Sequence, residues 1–239
     1  MDSTQRVRSG RDRTRFQIGF GFDLDHTLLV DNHLERIAFM RLLETLAAGG
    51  GSRLTGAPKE ERAIDDLLAR QRAGAFTIEE AVRRFAAGRG VVATPALIDD
   101  YKTSALDMAQ EFVRPVPGAA STLRALRERG VPVAALTNGW SPLQERKAAC
   151  IGFEGPVVVS SLIGAQKPDP RAFAALADAM GLHARDLWYV GDDPRCDVAG
   201  ALGAGMRAVW FDERGAVYPS DVARPTRTIG ALPELLDLE

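Results

Sequence analysis

Between residues 16 and 22 the chain alternates Phe16, Ile18, Phe20 and Phe22 with Gln17, Gly19 and Gly21, the two-residue period of a short strand. From residue 31 to 113 the period changes. Leu34, Ile37, Ala38, Leu42 and Leu46 recur every three or four positions and predict a helix, which the run "AAGGGSRLTGAP" ends. The same spacing predicts helices over 59–72, 77–88 and 95–112, the last entered through Thr94 with Pro95 in its first turn. Beyond "RPVPG" (114–118) short apolar runs alternate with helical stretches. Strands are predicted at 131–137, 157–160, 187–191 and 207–211, and helices at 121–129, 170–180 and 194–204. A further helix is expected after Ser141, with Pro142 at its first position and Ser141 and Gln144 as a capping box. Strands alternating with helices predict an α/β fold, a doubly wound parallel sheet covered on both faces. The strand at 16–22 has no partner in the helical block and joins that sheet. The expected organisation is a leader at 1–15, a core formed by 16–30 and 114–239, and an all-helical insertion at 31–113.

Composition narrows the class. With 239 residues, 46% of them hydrophobic and 26% charged, the chain suits a packed soluble protein. No stretch approaches the roughly 18 apolar residues of a spanning helix, and "MDSTQRVRSGRDRTR" lacks the apolar stretch of a secretory signal, so a cytoplasmic protein without a membrane partner is expected. A net charge of -2 gives no general attraction to nucleic acid. The five arginines Arg6, Arg8, Arg11, Arg13 and Arg15 read as a solvated leader, with a polyanion-docking segment as the alternative. Cys150 and Cys196 read as small buried thiols rather than a disulfide framework.

Chemistry gathers where the strands end. In a doubly wound sheet ligands sit outside the carboxyl ends of the strands. Asp23 and Asp25 follow the first predicted strand; Thr137, Asn138 and Gly139 the second; Lys167 and Pro168 lie in the loop after the third; Asp192, Asp193 and Asp197 follow the fourth. Asp23 and Asp25, spaced by Leu24, would point the same way on an extended chain and repel each other unless a cation or a shared proton lay between them. The set suits a phosphoryl group held with Mg2+, which prefers oxygen ligands: Asp23 and Asp192 as carboxylates, with Lys167, Thr137 and the amides near Asn138 on the phosphoryl oxygens.

In order, "DLDHTL" (23–28), "LTNG" (136–139), "KPDP" (167–170) and "GDDPRCD" (191–197) resemble the four motifs of the haloacid dehalogenase superfamily. The resemblance runs from about residue 16 to the end of the chain, and the insertion falls where one subgroup carries a helical cap. It implies a Rossmann-like catalytic core with a cap over the site. It further implies Asp23 as a nucleophile forming an aspartyl-phosphate, and Asp25 as general acid and then base. The Asp25 backbone carbonyl and the Asp23 and Asp192 carboxylates would be metal ligands, with Asp197 and Asp193 behind them or acting through water. Thr137, Asn138 and Lys167 would hold the transferring group. The family's dehalogenases need neither an acid two residues past the nucleophile nor a metal, so Asp25 favours phosphoryl transfer. The expected activity is Mg2+-dependent hydrolysis of a small phosphomonoester, in a pool of phosphoglycolate, nucleoside monophosphates and sugar phosphates. The alternatives are a phosphomutase acting on sugar phosphates and a non-hydrolytic phosphate-binding protein.

Other residues have plainer readings. His26 stands where many relatives have glycine, and His33 and His183 read as surface or structural residues. Trp140 either walls the pocket or covers the sheet. Arg83, Arg84 and Arg89 read as a solvated helical face, with contact to a second anionic group of the substrate as the alternative. The sequence leaves the oligomeric state open.

Overall fold

A computed structural model describes residues 18–52 and 57–238. The arginine-rich leader and the expected strand positions Phe16 and Gln17 lie outside the described residues. In chain order the elements are β1 (Gly19–Phe22), β2 (Leu29–Val30), α1 (Leu34–Ala48), α2 (Ala57–Arg72), α3 (Ile78–Ala87), α4 (Pro95–Phe112), β3 (Arg114–Pro115), α5 (Ala119–Glu128), β4 (Val133–Thr137) and α6 (Leu143–Cys150). They continue with β5 (Val157–Val159), α7 (Ser160–Ile163), α8 (Pro170–Met180), β6 (Leu187–Gly191), α9 (Ala199–Gly203), β7 (Arg207–Phe211) and β8 (Arg227–Ile229).

Six strands form one parallel sheet in the order β5-β4-β1-β6-β7-β8. Successive strand residues point to opposite faces, and here both faces are covered. Phe20, Phe22, Ala135, Trp188, Val190 and Phe211 face one apolar cluster; Ala134, Leu136, Tyr189, Ala208 and Trp210 face the other. Burying each large side chain contributes about 1.5–3 kcal/mol. The Phe-Gly alternation of β1 therefore separates bulky from absent side chains, not buried from exposed ones. A Cβ on Gly21 would lie 2.5 Å from Leu176 Cδ2 of α8 and 2.9 Å from Tyr189 Cδ2. Its absence lets α8 close on the sheet.

Helices α1 to α4 lie between β2 and β3, which pair antiparallel with Leu29 opposite Pro115 and Val30 opposite Arg114. The chain thus enters and leaves the helical block side by side. Phe39, Phe85 and Tyr101 meet inside it, with ring centroids 4.9 and 4.5 Å apart, and belong to the same apolar cluster as Phe20 and Phe22. The expected cap at Thr94 forms: its hydroxyl accepts from the Leu97 amide at 3.2 Å, with Pro95 following.

Four local expectations need correction. Ser141 and Gln144 form no capping box. Pro142 occupies the N-cap position of α6 itself, the Ser141 hydroxyl donates to Glu145 Oε1 at 2.6 Å, and the Gln144 amide reaches Asp25 instead. The helix predicted at 194–204 opens as a π-helical turn over Pro194–Val198, with the Val198 amide on Asp193 O at 3.3 Å, and the Asp193 carboxylate caps it by accepting from the Arg195 and Cys196 amides at 2.7 and 2.8 Å. Strand β8 and the β2–β3 pair were not predicted, being too short to show a period. Cys150 and Cys196 are free thiols, as expected, but both are half-buried rather than buried.

Candidate active site

Parallel neighbours β4, β1 and β6 end side by side, and Asp23 follows β1 with its amide bonded to Val190 O of β6 at 2.9 Å. Thr137 closes β4, while Asp192 follows β6. The loop before α8 brings in Lys167, and the π-helical turn brings in Asp197. Lys167 Nζ is buried and donates to Asp23 Oδ1 at 2.6 Å and to Asp197 Oδ1 at 2.7 Å. These residues line a cavity of about 480 Å3 together with Asp25, His26, Thr137, Asn138, Asp192 and Asp193.

Oxygen atoms of Asp23, Asp192 and Asp197 lie within 4.8 Å of one another. One ammonium cannot balance three carboxylates in so dry a place. Burial and the neighbouring carboxylates outweigh Lys167 and push the Asp23 carboxyl well above its ordinary range. Burial and Asp197 raise that of Asp192 to about 6. The surplus negative charge and the all-oxygen donor set fit a divalent cation such as Mg2+.

Gly191 makes this crowding possible, since a Cβ there would lie 2.3 Å from Asp197 Cγ. Asp193 stands one step back. Its side chain caps the π-helical turn, and its amide donates to Asp197 Oδ2 at 3.0 Å. The Thr27 hydroxyl reaches Asp192 Oδ1 at 3.4 Å.

The Asp23 and Asp25 carboxylates bond to different ammonium groups. Each has its own lysine. Lys147, fully buried on α6, donates to Asp25 Oδ1 at 3.0 Å and to Asp31 Oδ2 at 2.7 Å. Burial would discharge that ammonium, but Asp25, Asp31 and Glu35 more than offset it, so its pKa lies above the lysine norm. Burial likewise works against the Asp31 carboxylate, yet Lys147 holds its pKa below the usual value.

Asn138 lines the cavity and its side chain binds the Lys167 backbone: Nδ2 donates to Lys167 O at 3.0 Å and Oδ1 accepts from the Lys167 amide at 2.9 Å. The next amide, of Gly139, donates to Ser160 Oγ at 3.0 Å. Trp140 is buried in the apolar cluster, and its indole N–H donates to Glu35 Oε1 at 2.9 Å. His26 lines the cavity with φ at 64°, the left-handed region glycine adopts freely. Arg83 and Arg84 pair with Glu80 on an exposed face, at 3.7 and 2.8 Å. Arg89 is not on that face: it is buried against Glu60 and stacked over Phe85. None of the three lines the cavity. Arg72 of α2 does, paired with Glu35 Oε2 at 2.9 Å. The Cys196 thiol also lines the cavity, and burial with Asp193 pushes it up to about 11, so it stays protonated.

Sequence reasoning missed Lys147, Gln144, Asp31, Glu35 and Arg72. A signal existed for the first: Leu143, Gln144, Lys147 and Ala148 share one buried face of α6, an unusual place for a lysine.

Known proteins resemble this chain in sequence and fold. The chain is 37% identical over 140 residues to a phosphoserine phosphatase of Thermus thermophilus, covering 55% of this chain and 56% of that one. It is 34% identical over 118 residues to a glyceraldehyde 3-phosphate phosphatase of Methanopyrus kandleri, covering 48% and 51%. The chain thus spans about half the length of the curated relatives it matches. A solved structure of a 2-haloacid dehalogenase from Pseudomonas syringae superposes with a TM-score of 0.71 at 25% identity, over 92% of this chain and 97% of that chain. The model of the haloacid dehalogenase-like hydrolases matches residues 19–205, from the start of β1 to the turn before β7, and the chain belongs to that family.

Proposed function

We propose that this hydrolase cleaves small-molecule phosphomonoesters with Mg2+, through an aspartyl-phosphate on Asp23. The observation that carries the reading is Asp25: its carboxyl group opens into the same cavity as Asp23, where a leaving alkoxide needs a proton and a leaving halide does not. The phosphatases among the relatives support it. Bound among Asp23, Asp192, Asp197 and the Asp25 carbonyl, Mg2+ would neutralise phosphoryl oxygens that these carboxylates otherwise repel.

Asp23 attacks phosphorus, the ester P–O bond breaks, and Asp25 gives its proton to the departing oxygen. Water then attacks the phosphorus, its proton passes to Asp25, and the bond to Asp23 breaks to release phosphate. Lys167 and the Thr137 hydroxyl hold the transferring oxygens, while Asn138 fixes Lys167. Helices α1 to α4 act as a cap: Ala69, Arg72 and Ala73 wall the cavity opposite the strand ends and face the leaving group. Cytoplasmic placement belongs to the same proposal, since a reducing compartment keeps free thiols such as Cys150 and Cys196. Among the described residues no helix is long and apolar enough to cross a membrane.

Free-phosphate release from a panel of phosphomonoesters tests the reading. Release is expected with Mg2+, and is expected to stop with a chelator or in Asp23→Asn. Normal activity in Asp23→Asn, or halide release from haloacids in place of phosphate release, overturns it.

A further inference from the structure

We infer that Lys147 and Gln144 form a positioning device for Asp25, a role that rests on the acid–base function proposed above. Asp25 follows a strand end and precedes His26, so its backbone sits in a tight turn, while its side chain is 27% exposed towards the cavity. A carboxylate in such a place has several staggered orientations open to it. Here both of its oxygens are held from behind. Lys147 Nζ donates to Oδ1 at 3.0 Å and to Oδ2 at 3.3 Å, and Gln144 Nε2 donates to Oδ2 at 3.3 Å.

Both donors lie one turn apart on α6, three residues from each other. The ammonium is itself fixed from the far side by Asp31, at 2.7 Å. Gln144 is also buried, and its Oε1 has no hydrogen-bond partner. The Asp25 carboxylate is thereby kept in one orientation. Orientation of this kind counts when the proton must arrive at the leaving oxygen as the ester bond breaks.

The test separates proton delivery from simple support of the fold. In Lys147→Met, kcat/KM reports the first step, attack by Asp23 with departure of the alcohol. A p-nitrophenolate leaves without a proton, whereas an alkoxide does not. We expect kcat/KM for an alkyl phosphate that the wild type hydrolyses to fall about 100-fold, within the range of general acid catalysis, and that for p-nitrophenyl phosphate to fall about 10-fold or less. Gln144→Leu, which removes no charge, should show the same contrast at smaller size.

Lys147→Met leaves Asp31 without its cation, so Asp31→Asn with Lys147→Met is measured beside it. The double variant should recover thermal stability and keep the leaving-group contrast. Equal losses on both esters in the stable variants, or full recovery of alkyl phosphate hydrolysis in the double variant, overturn the positioning role. A wild type that releases phosphate from neither ester overturns the phosphatase reading itself, and this inference with it.

Discussion

At Gly191 the whole carboxylate cluster depends on a missing methyl group. Asp197 sits so close that alanine there would push its carboxylate away from Lys167 and from the Asp193 amide. We expect Gly191→Ala to weaken Mg2+ about 10- to 100-fold, the size seen when groups that orient metal ligands are lost, as read by Mg2+ titration of the purified protein. Unchanged affinity would mean that Asp197 has no part in holding the ion. Legibility at this scale divides cleanly. Asp23 and Asp192 announce themselves because each follows a strand end, and strand ends are where the fold puts ligands. Lys147 and Arg72 do not, because they come from helices whose charged residues ordinarily face water. Their partners are distant in sequence, with Lys147 lying 122 residues from Asp25, and no local pattern encodes that meeting.

Among the elements, β1 and α8 show how a short strand is built for burial on both sides. Gly21→Ala would force a methyl group into Leu176, which is fully buried and cannot swing out to solvent. Overpacking of this kind costs about 1–3 kcal/mol, and a urea titration should show the midpoint falling with little change in slope. No loss would mean that α8 leaves room for a methyl group against β1. Long elements such as α4, with Thr94 and Pro95 at its start, were readable from capping and period together. Features set by side-chain partners were not: the Ser141 hydroxyl bonds Glu145 and the Gln144 amide bonds Asp25, 119 residues away, in place of a capping box.

Across the whole molecule, the α/β alternation and the helical insertion were legible because each spans many residues of one period. The joining of the two was not. One apolar cluster runs from Phe22 of the sheet to Phe39 and Tyr101 of the helical block, and no sequence period crosses that boundary. Lysine usage adds a consequence of another kind. The chain has four lysines, and the side chains of Lys147 and Lys167 are 0% and 4% exposed, each held between two carboxylates, while Lys59 is exposed and Lys102 half-buried. An amine-acylating reagent should therefore mark Lys59 and Lys102 on the native protein and reach Lys147 and Lys167 only after denaturation, as peptide mass spectrometry would record. Native labelling of Lys147 as fast as Lys59 would contradict its burial. If the pattern holds, the number of acyl groups per chain counts how much of a sample is folded, and the protein carries its own gauge of integrity in the two residues that hold its carboxylates.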